Sequence, residues 1–455
     1  MLGLVRRFGW NATSFQVLEP GYRYFFPDAD ACVAFVDTGR AWVAAGAPLA
    51  DEGRFAAVAA AFCAAARAAG RRACFFATED RFRARVAMRA LLVGEQPFWD
   101  PTGWDAVLRD SPSLREQLRR ARAKGVRVRP IDPDAAVEAE APLRQAMAGV
   151  VRRWLRAREL APLGFLAHVE PLASLPDRRL FLAEREGAAV GILSVAPIYG
   201  REGWLLQNLM RSPDAPNGTG ELLFDHAMRE ARERGRTLVT LGLAPLAGRV
   251  PRPLRLARTA GGGLFNFAGL HAFKAKLGPT RWDAVYLSFP ENVSAPRAIV
   301  DVLAAFARGK LLRFGLATLA RGPALIVRLL GLLLIPWTIL LACADQRRWF
   351  PHPAVKWGWV AFDVLLVVGL FALHRRWRPR LARLLVAAIA ADAMVTAVEG
   401  LCWNAPRATG AVSHAVLVTA MLAPALATFV LAAAIRRRFD PIADTRPGRP
   451  RSPRA

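Results

Sequence analysis

Cysteine, histidine and acidic residues are all scarce in this sequence. The 455 residues hold five cysteines, Cys32, Cys63, Cys74, Cys343 and Cys402, with no metal-ligand spacing and no disulfide framework. Six histidines include no His-x-x-x-His pair. These scarcities exclude a zinc enzyme of a familiar kind and a disulfide-built secreted domain, and no metal or cofactor is expected. Acidic residues number 37 against 63 lysines and arginines, a formal net charge of +26. Yet 54% of the chain is apolar. A cytosolic enzyme is seldom so basic, and a disordered basic protein is never so apolar. Both facts fit if apolar residues cross a membrane while basic ones face polyanions. The Ala-, Arg- and Trp-rich composition suits a bacterial inner-membrane protein. The opening MLGLVRRFGWNATSF has no long apolar core before its first charges and does not read as a signal peptide.

Four long apolar stretches follow residue 322: Pro323–Ala344, Trp357–Leu373, Leu384–Trp403 and Val412–Ile435. Each is near the roughly 20 residues that cross a hydrocarbon core, the second being short. Basic clusters set their orientation. Arg308, Lys310, Arg313 and Arg321 precede the first span. Arg375, Arg376, Arg378, Arg380 and Arg383 lie between the second and third, and Arg436, Arg437 and Arg438 follow the fourth. Four spans put all three clusters, and both termini, on the cytoplasmic side. The first loop (Arg347, Arg348, Lys356) dissents. Asp363, Asp392 and Glu399 lie inside spans and should face the bundle interior, as a polar path or as structural hydrogen bonds between spans.

Before the spans, apolar runs alternate with Arg-rich helical stretches. Arg179–Glu184 and Ala189–Val195 flank an Arg-Glu-Gly turn, the signal of a hairpin. Gly203–Asn208 is a third strand, leading into the Pro/Gly loop SPDAPNGTG and a helix from Glu221 to Arg234. A strand at Thr237–Leu243, a helix at Phe267–Leu277 and a strand at Ala284–Phe289 complete the run. This is the order of a GNAT-type acyltransferase fold. There the loop before the central helix aims backbone N–H groups at a phosphate or carbonyl oxygen, a job that Gly218 and Gly220 suit. A plain loop with two glycines is the alternative. The first lobe repeats the plan loosely: strands at Ala31–Asp37 and Arg40–Ala45, a helix at Glu52–Ala69, and a strand at Arg72–Thr78. A basic helix follows, carrying Arg115, Arg119, Arg120, Arg122 and Lys124. It is a solvated face or, given its density of one sign, a surface for a phosphate backbone.

The expected architecture is α/β, with tandem GNAT-like acyltransferase lobes followed by a C-terminal four-helix transmembrane region. Residues 1–140 form a first lobe, 141–295 a second lobe with the active site, and 296–322 a basic juxtamembrane linker. Residues 323–436 are the membrane helices and 437–455 a basic Pro/Arg-rich tail.

Three segments, QNLMRSPDAPNGTGELLF, LGLAPL and FNFAGLHAFKAKLGPTRW, lie in this order between Gln207 and Trp282. Together they resemble the C-terminal catalytic domain of phosphatidylglycerol lysyltransferases, the aminoacyl-phosphatidylglycerol synthases of the multiple peptide resistance factor type. AWVAAGAPLA and LREQLRRARAKG are similar to that family's first lobe, so the resemblance covers about residues 10–290. It implies a cytoplasmic-face enzyme that takes an amino acid from aminoacyl-tRNA and esterifies it to a hydroxyl of the anionic lipid phosphatidylglycerol. The product lowers membrane charge and helps resist cationic peptides. There are departures. The family's large membrane domain is N-terminal, whereas the spans here are C-terminal. Asn208 stands where the family often has an acid, and the Arg249–Gly263 stretch lacks an expected carboxylate.

For such a transfer, Arg211 at a strand end is the expected holder of a phosphate or the oxyanion, or else closes an ion pair. Asp214 either orients Arg211, binds the substrate ammonium, or caps a turn. Lys274 is assigned to a phosphate and completes the expected catalytic set. Asn208, Gly218, Gly220, Asn266 and Lys276 are the expected substrate-binding positions, Asn266 reading more as structural and Lys276 as surface. Arg115, Arg119, Arg120, Arg122 and Lys124 are assigned to tRNA. Two other readings stay open: a different tRNA- or CoA-dependent acyltransferase, and a non-catalytic membrane-anchored lipid- or nucleic-acid-binding protein. Ala215 and Pro216 stand where a CoA pyrophosphate loop would carry Arg or Gln, which counts against CoA.

Overall fold

The computed structural model describes residues 1–131, 141–158, 160–172, 177–261, 265–321, 323–375 and 377–439. The chain divides into two compact units, Met1–Phe314 and a second beginning at Gly315.

The first unit is built on one mixed sheet. Its strands are β1 (Arg23–Asp28), β2 (Ala31–Asp37), β3 (Ala41–Ala45), β4 (Arg72–Thr78), β5 (Arg89–Trp99), β6 (Val126–Ile131), β7 (Arg179–Arg185), β8 (Ala188–Ile198), β9 (Gly203–Arg211), β10 (Leu238–Thr240), β11 (Ala244–Pro245) and β12 (Arg281–Phe289). Their spatial order is β1-β2-β3-β4-β12-β5-β10-β9-β8-β7-β6, with β11 on β5. The helices are α1 (Leu2–Phe8), α2 (Phe55–Ala68), α3 (Asp80–Arg83), α4 (Trp104–Asp110), α5 (Pro112–Ala123), α6 (Ala141–Arg156), α7 (Thr219–Glu233), α8 (Arg252–Gly261), α9 (Phe267–Lys276) and α10 (Ala295–Phe306), and α11 (Leu311–Arg321) runs across the division between the units.

Two helix-on-sheet cores follow from two amphipathic patterns. On α2, Phe55, Val58, Phe62 and Ala66 recur at helical spacing and pack on Phe35 and Phe75. On α7, Leu222, Leu223, Ala227 and Ala231 do the same against Leu193, Val195, Trp204 and Leu206. In that second core Phe224 meets Trp99 and Trp104 edge-on, at 5.0 and 5.2 Å.

The expected lobe boundary at residue 140 is not a boundary in the sheet. β6, from the first lobe's sequence, pairs with β7 over six residues, and α5 packs into the α7 core. In exchange β12, from the second lobe, lies between β4 and β5. Long-range backbone pairing decides membership here, not chain proximity. The linker expected at 296–322 is also corrected: α10 and α11 fill it. The inner face of α10 carries Ala298, Val302 and Ala305 into the core, and Asp301 accepts a two-pronged bond from Arg72 at 2.6 and 2.8 Å.

The second unit holds α12 (Pro323–Cys343), α13 (Pro353–Arg375), α14 (Pro379–Glu399) and α15 (Gly410–Phe439). All four are long and apolar enough to cross a membrane. The second is 23 residues, longer than expected, because the helix runs on through polar flanks such as Lys356, whose ammonium donates to the Ala344 carbonyl at 2.8 Å. Val327, Leu366, Leu370, Leu385, Ile389 and Leu431 form its core. Thr338 donates to Asp363 at 3.4 Å, Thr396 to Asp392 at 2.9 Å and Trp359 to Glu399 at 3.0 Å. Each carboxyl thus has a neighbouring hydroxyl or indole donor.

Candidate active site

β9 and β10 run parallel for three residue pairs, ending at Thr240↔Leu205. Then they part. β9 continues to Arg211, while the chain after β10 follows β5, where Ala244 pairs with Glu95 and Pro245 with Gly94. Only glycine fits at 94, since a Cβ there would lie 2.3 Å from the Ala244 oxygen. A wedge therefore opens in the sheet beyond Leu205. At its start β9 bulges: the register passes from Ser194↔Asn208 to Val195↔Leu206, leaving Gln207 unpaired.

Lys274 holds the far wall of the wedge. Its buried ammonium donates to the carbonyls of Leu241, Gly242 and Leu243 at 2.9, 2.8 and 2.9 Å. Three consecutive carbonyls converge on one cation, and an ammonium has three N–H groups to meet them where a neutral amine has two. Burial pushes its pKa down to about 7, against the pull of the carbonyls. The LGLAPL and FKAK motifs are thus one structural piece. All three donors of Lys274 are used, so the phosphate expected for it finds no free N–H in this arrangement.

Lys276 corrects the surface expectation. It binds Glu221 at 2.8 Å and also Gln117. Two residues on from Lys274, it points to the other side of α9, and that side meets α7 and α5. Gly218 has a left-handed backbone (φ +95°), and a Cβ would come 2.4 Å from the Gln117 oxygen. Its lack of a side chain lets the loop press on α5. Gly220 has nothing closer than 3.9 Å to its missing Cβ. Asn266 caps α9, accepting from Gly269 N–H at 2.7 Å. Asn208 donates to Ser194 Oγ at 3.0 Å beneath the wedge.

Arg211 is exposed at the end of β9, its guanidinium donating to the Ala215 carbonyl at 3.3 Å. Asp214 is exposed on the same loop, and among the described residues no ion pair joins it to Arg211. The basic helix divides. Arg115 bonds the Leu108 carbonyl at 2.7 Å, and Arg122 bonds Asp225 at 2.7 Å, a fully buried carboxylate that also takes Trp104 Nε1 at 2.9 Å. Arg119 and Arg120 share Glu116 on the solvent side, and Lys124 is exposed.

Sequence reasoning missed the polar group under the bulge. Gln207 donates to Glu19 at 2.7 Å, and Glu19 pairs with Arg178 at 2.5 Å, both side chains being almost wholly buried. No local spacing marks a contact between residues 159 apart.

The family model described as "Phosphatidylglycerol lysyltransferase, C-terminal" matches residues 3–289. The chain belongs to this family. It is similar to the phosphatidylglycerol lysyltransferase of Bacillus subtilis (strain 168), 35% identical over 123 residues, covering 25% of this chain and 14% of that protein. The lysylphosphatidylglycerol biosynthesis bifunctional protein LysX of Nocardia farcinica is 28% identical over 245 residues, 51% of this chain and 21% of that protein. The chain therefore spans about a fifth or less of the length of these curated relatives. Among solved structures, the C-terminal domain of a putative lysylphosphatidylglycerol synthetase from Agrobacterium fabrum superposes with TM-score 0.56 at 25% identity. It covers 66% of this chain and 95% of that one. L-PGS from Bacillus licheniformis shares the fold, with TM-score 0.58 at 23% identity, over 68% of this chain and 95% of that one. The α/β acyltransferase-type sheet followed by four apolar helices is thus the architecture expected.

Proposed function

We propose that this chain transfers an aminoacyl group from aminoacyl-tRNA to a hydroxyl of phosphatidylglycerol at the inner face of a bacterial inner membrane. The observation that supports it most is that all three family motifs meet at the wedge between β9 and β10. QNLMRSPDAPNGTG forms one wall and the loop above it, LGLAPL forms the other, and Lys274 fastens that second wall.

The reaction is an ester exchange. The lipid hydroxyl oxygen attacks the aminoacyl carbonyl carbon, a tetrahedral oxyanion forms, and the bond to the tRNA ribose oxygen breaks. The proton lost by the lipid hydroxyl ends on that ribose oxygen. The ester is already activated, so no protein nucleophile is needed. The barrier falls by alignment of two substrates and by donors facing the oxyanion. Arg211, free at the mouth of the wedge apart from one long bond to Ala215, is the donor we assign to the oxyanion or a phosphate, with Asp214 beside it for the substrate ammonium. Lys274 positions the opposite wall. Arg119, Arg120 and Lys124 offer the solvent-facing charge for tRNA, while Arg115 and Arg122 brace α5. Both termini lie in the cytoplasm, since the basic clusters then share that side.

Purified full-length protein, labelled lysyl-tRNA and phosphatidylglycerol vesicles test this. A labelled aminoacyl lipid is expected by mass spectrometry, and a folded protein that binds both substrates yet makes no such lipid sinks the reading in favour of a binding protein. Arg211→Lys should lower turnover about a hundredfold with little change in melting temperature, since charge stays but the fork is lost. Near-wild-type turnover removes Arg211 from the site.

A further inference from the structure

We propose that α11, through its exposed leucine face, forms a foot that rests in the headgroup layer of an anionic leaflet. The family match ends at residue 289, so this segment lies outside it. The inner face of α10, just before it, is committed to the core. Next comes a fixed turn. Arg308 and Gly309 take left-handed backbone (φ +54° and +78°), and Gly309 N–H donates to the Ala304 carbonyl at 2.7 Å. Gly164 N–H holds the Phe306 carbonyl at 2.8 Å.

From that anchored turn α11 starts with Leu311 and Leu312. Leu312 is 87% exposed and Leu316, one turn on, is 67% exposed. Two leucines stacked on one open face are costly in water and at home at the acyl boundary. Two further facts select the occupant. α11 ends at Arg321, and Pro323 opens the first apolar helix, so the far end of α11 is already at the bilayer if that helix spans it. Between Asp301 and Asp345 the chain has no acidic residue, while Arg308, Lys310, Arg313, Arg321 and Arg328 are all basic. That sign asymmetry fits an anionic lipid surface and not a neutral one. The inference needs the first apolar helix to be a span. It does not need the transferase reading.

Photoreactive benzoylphenylalanine is placed at 312, at 316 and, as control, at the exposed Phe26 of β1, in the full chain in nanodiscs of phosphatidylcholine or phosphatidylglycerol. Irradiation should give lipid adducts at 312 and 316 but not at 26, with more in phosphatidylglycerol. Lys310→Gln with Arg313→Gln should cut that preference by about fivefold or more per charge without moving the melting temperature. Adducts to protein at 312 and 316, whether a second copy or another chain, overturn the proposal, as does an absence of adducts. Equal yields in the two lipids overturn its anionic part. Transfer activity is a separate readout, so loss of the foot and failure of the transferase reading are distinguishable.

Discussion

Lys274 is the residue on which the wedge depends most, and its charge state is coupled to stability. Lys274→Met leaves three carbonyls without their donor, and at about 1 kcal/mol each it should lower stability by about 3 kcal/mol, read as a lower melting temperature of the purified chain. The pH dependence has a definite sign. The folded value near 7 lies below the unfolded 10.5, so between them the unfolded chain binds more protons. Stability should then climb as pH rises from 7 to 9, and the climb should be missing in Lys274→Met. The two loop glycines separate in the same assay. Gly218→Ala meets both the Gln117 oxygen and a left-handed backbone, and should cost about 1–3 kcal/mol. Gly220→Ala makes only ordinary contacts with Leu209 and Phe273 at a helical position and should be neutral or stabilising by about 0.5–1 kcal/mol. It keeps its N–H, so transfer should survive.

At the scale of elements, the legible ones carried their pattern locally. The strands at 179–198 are continuous apolar runs joined by an Arg-Glu-Gly turn, and α7 has a clean apolar face. β5 was not legible, because its eleven residues include Gly94 and Pro97, both ordinarily strand breakers. Gly94 has a reason visible only in space: it admits the Ala244 carbonyl. The strand expected at Thr237–Leu243 stops at Thr240 because Lys274 claims the next three carbonyls. The site was legible in its motifs but not in its roles. Lys276, Asn266 and Gly218 proved to be fastenings, and Glu19 and Arg178 carried no signal at all. α10 lies where the sequence predicts a linker, and this bears on truncation. A chain ending at Pro290 loses the Asp301–Arg72 pair and the buried face of α10, and should melt about 10 °C or more below one ending at Lys310. Equal melting curves would show α10 to be dispensable.

For the whole molecule, the four apolar stretches were legible because hydrophobic length needs no tertiary context. The interleaved sheet was not, because strand exchange depends on pairings across much of the chain. Orientation remains open to a direct check: reporter fusions after Ala455 and after Arg407 should report opposite sides of the membrane, and the same side for both rejects four spans.

The exchange of β6 and β12 also fixes an order of events during synthesis. β4 and β5 leave the ribosome early, yet the strand that lies between them is translated only at residues 281–289. Until then both carry an open edge, a ready template for wrong partners. The missing strand emerges just before Pro323 and the first apolar helix. Closure of the sheet and delivery of the nascent chain to the insertion machinery therefore fall close together in time, and β4 and β5 must wait, open to chaperones and proteases, for a strand made almost two hundred residues later.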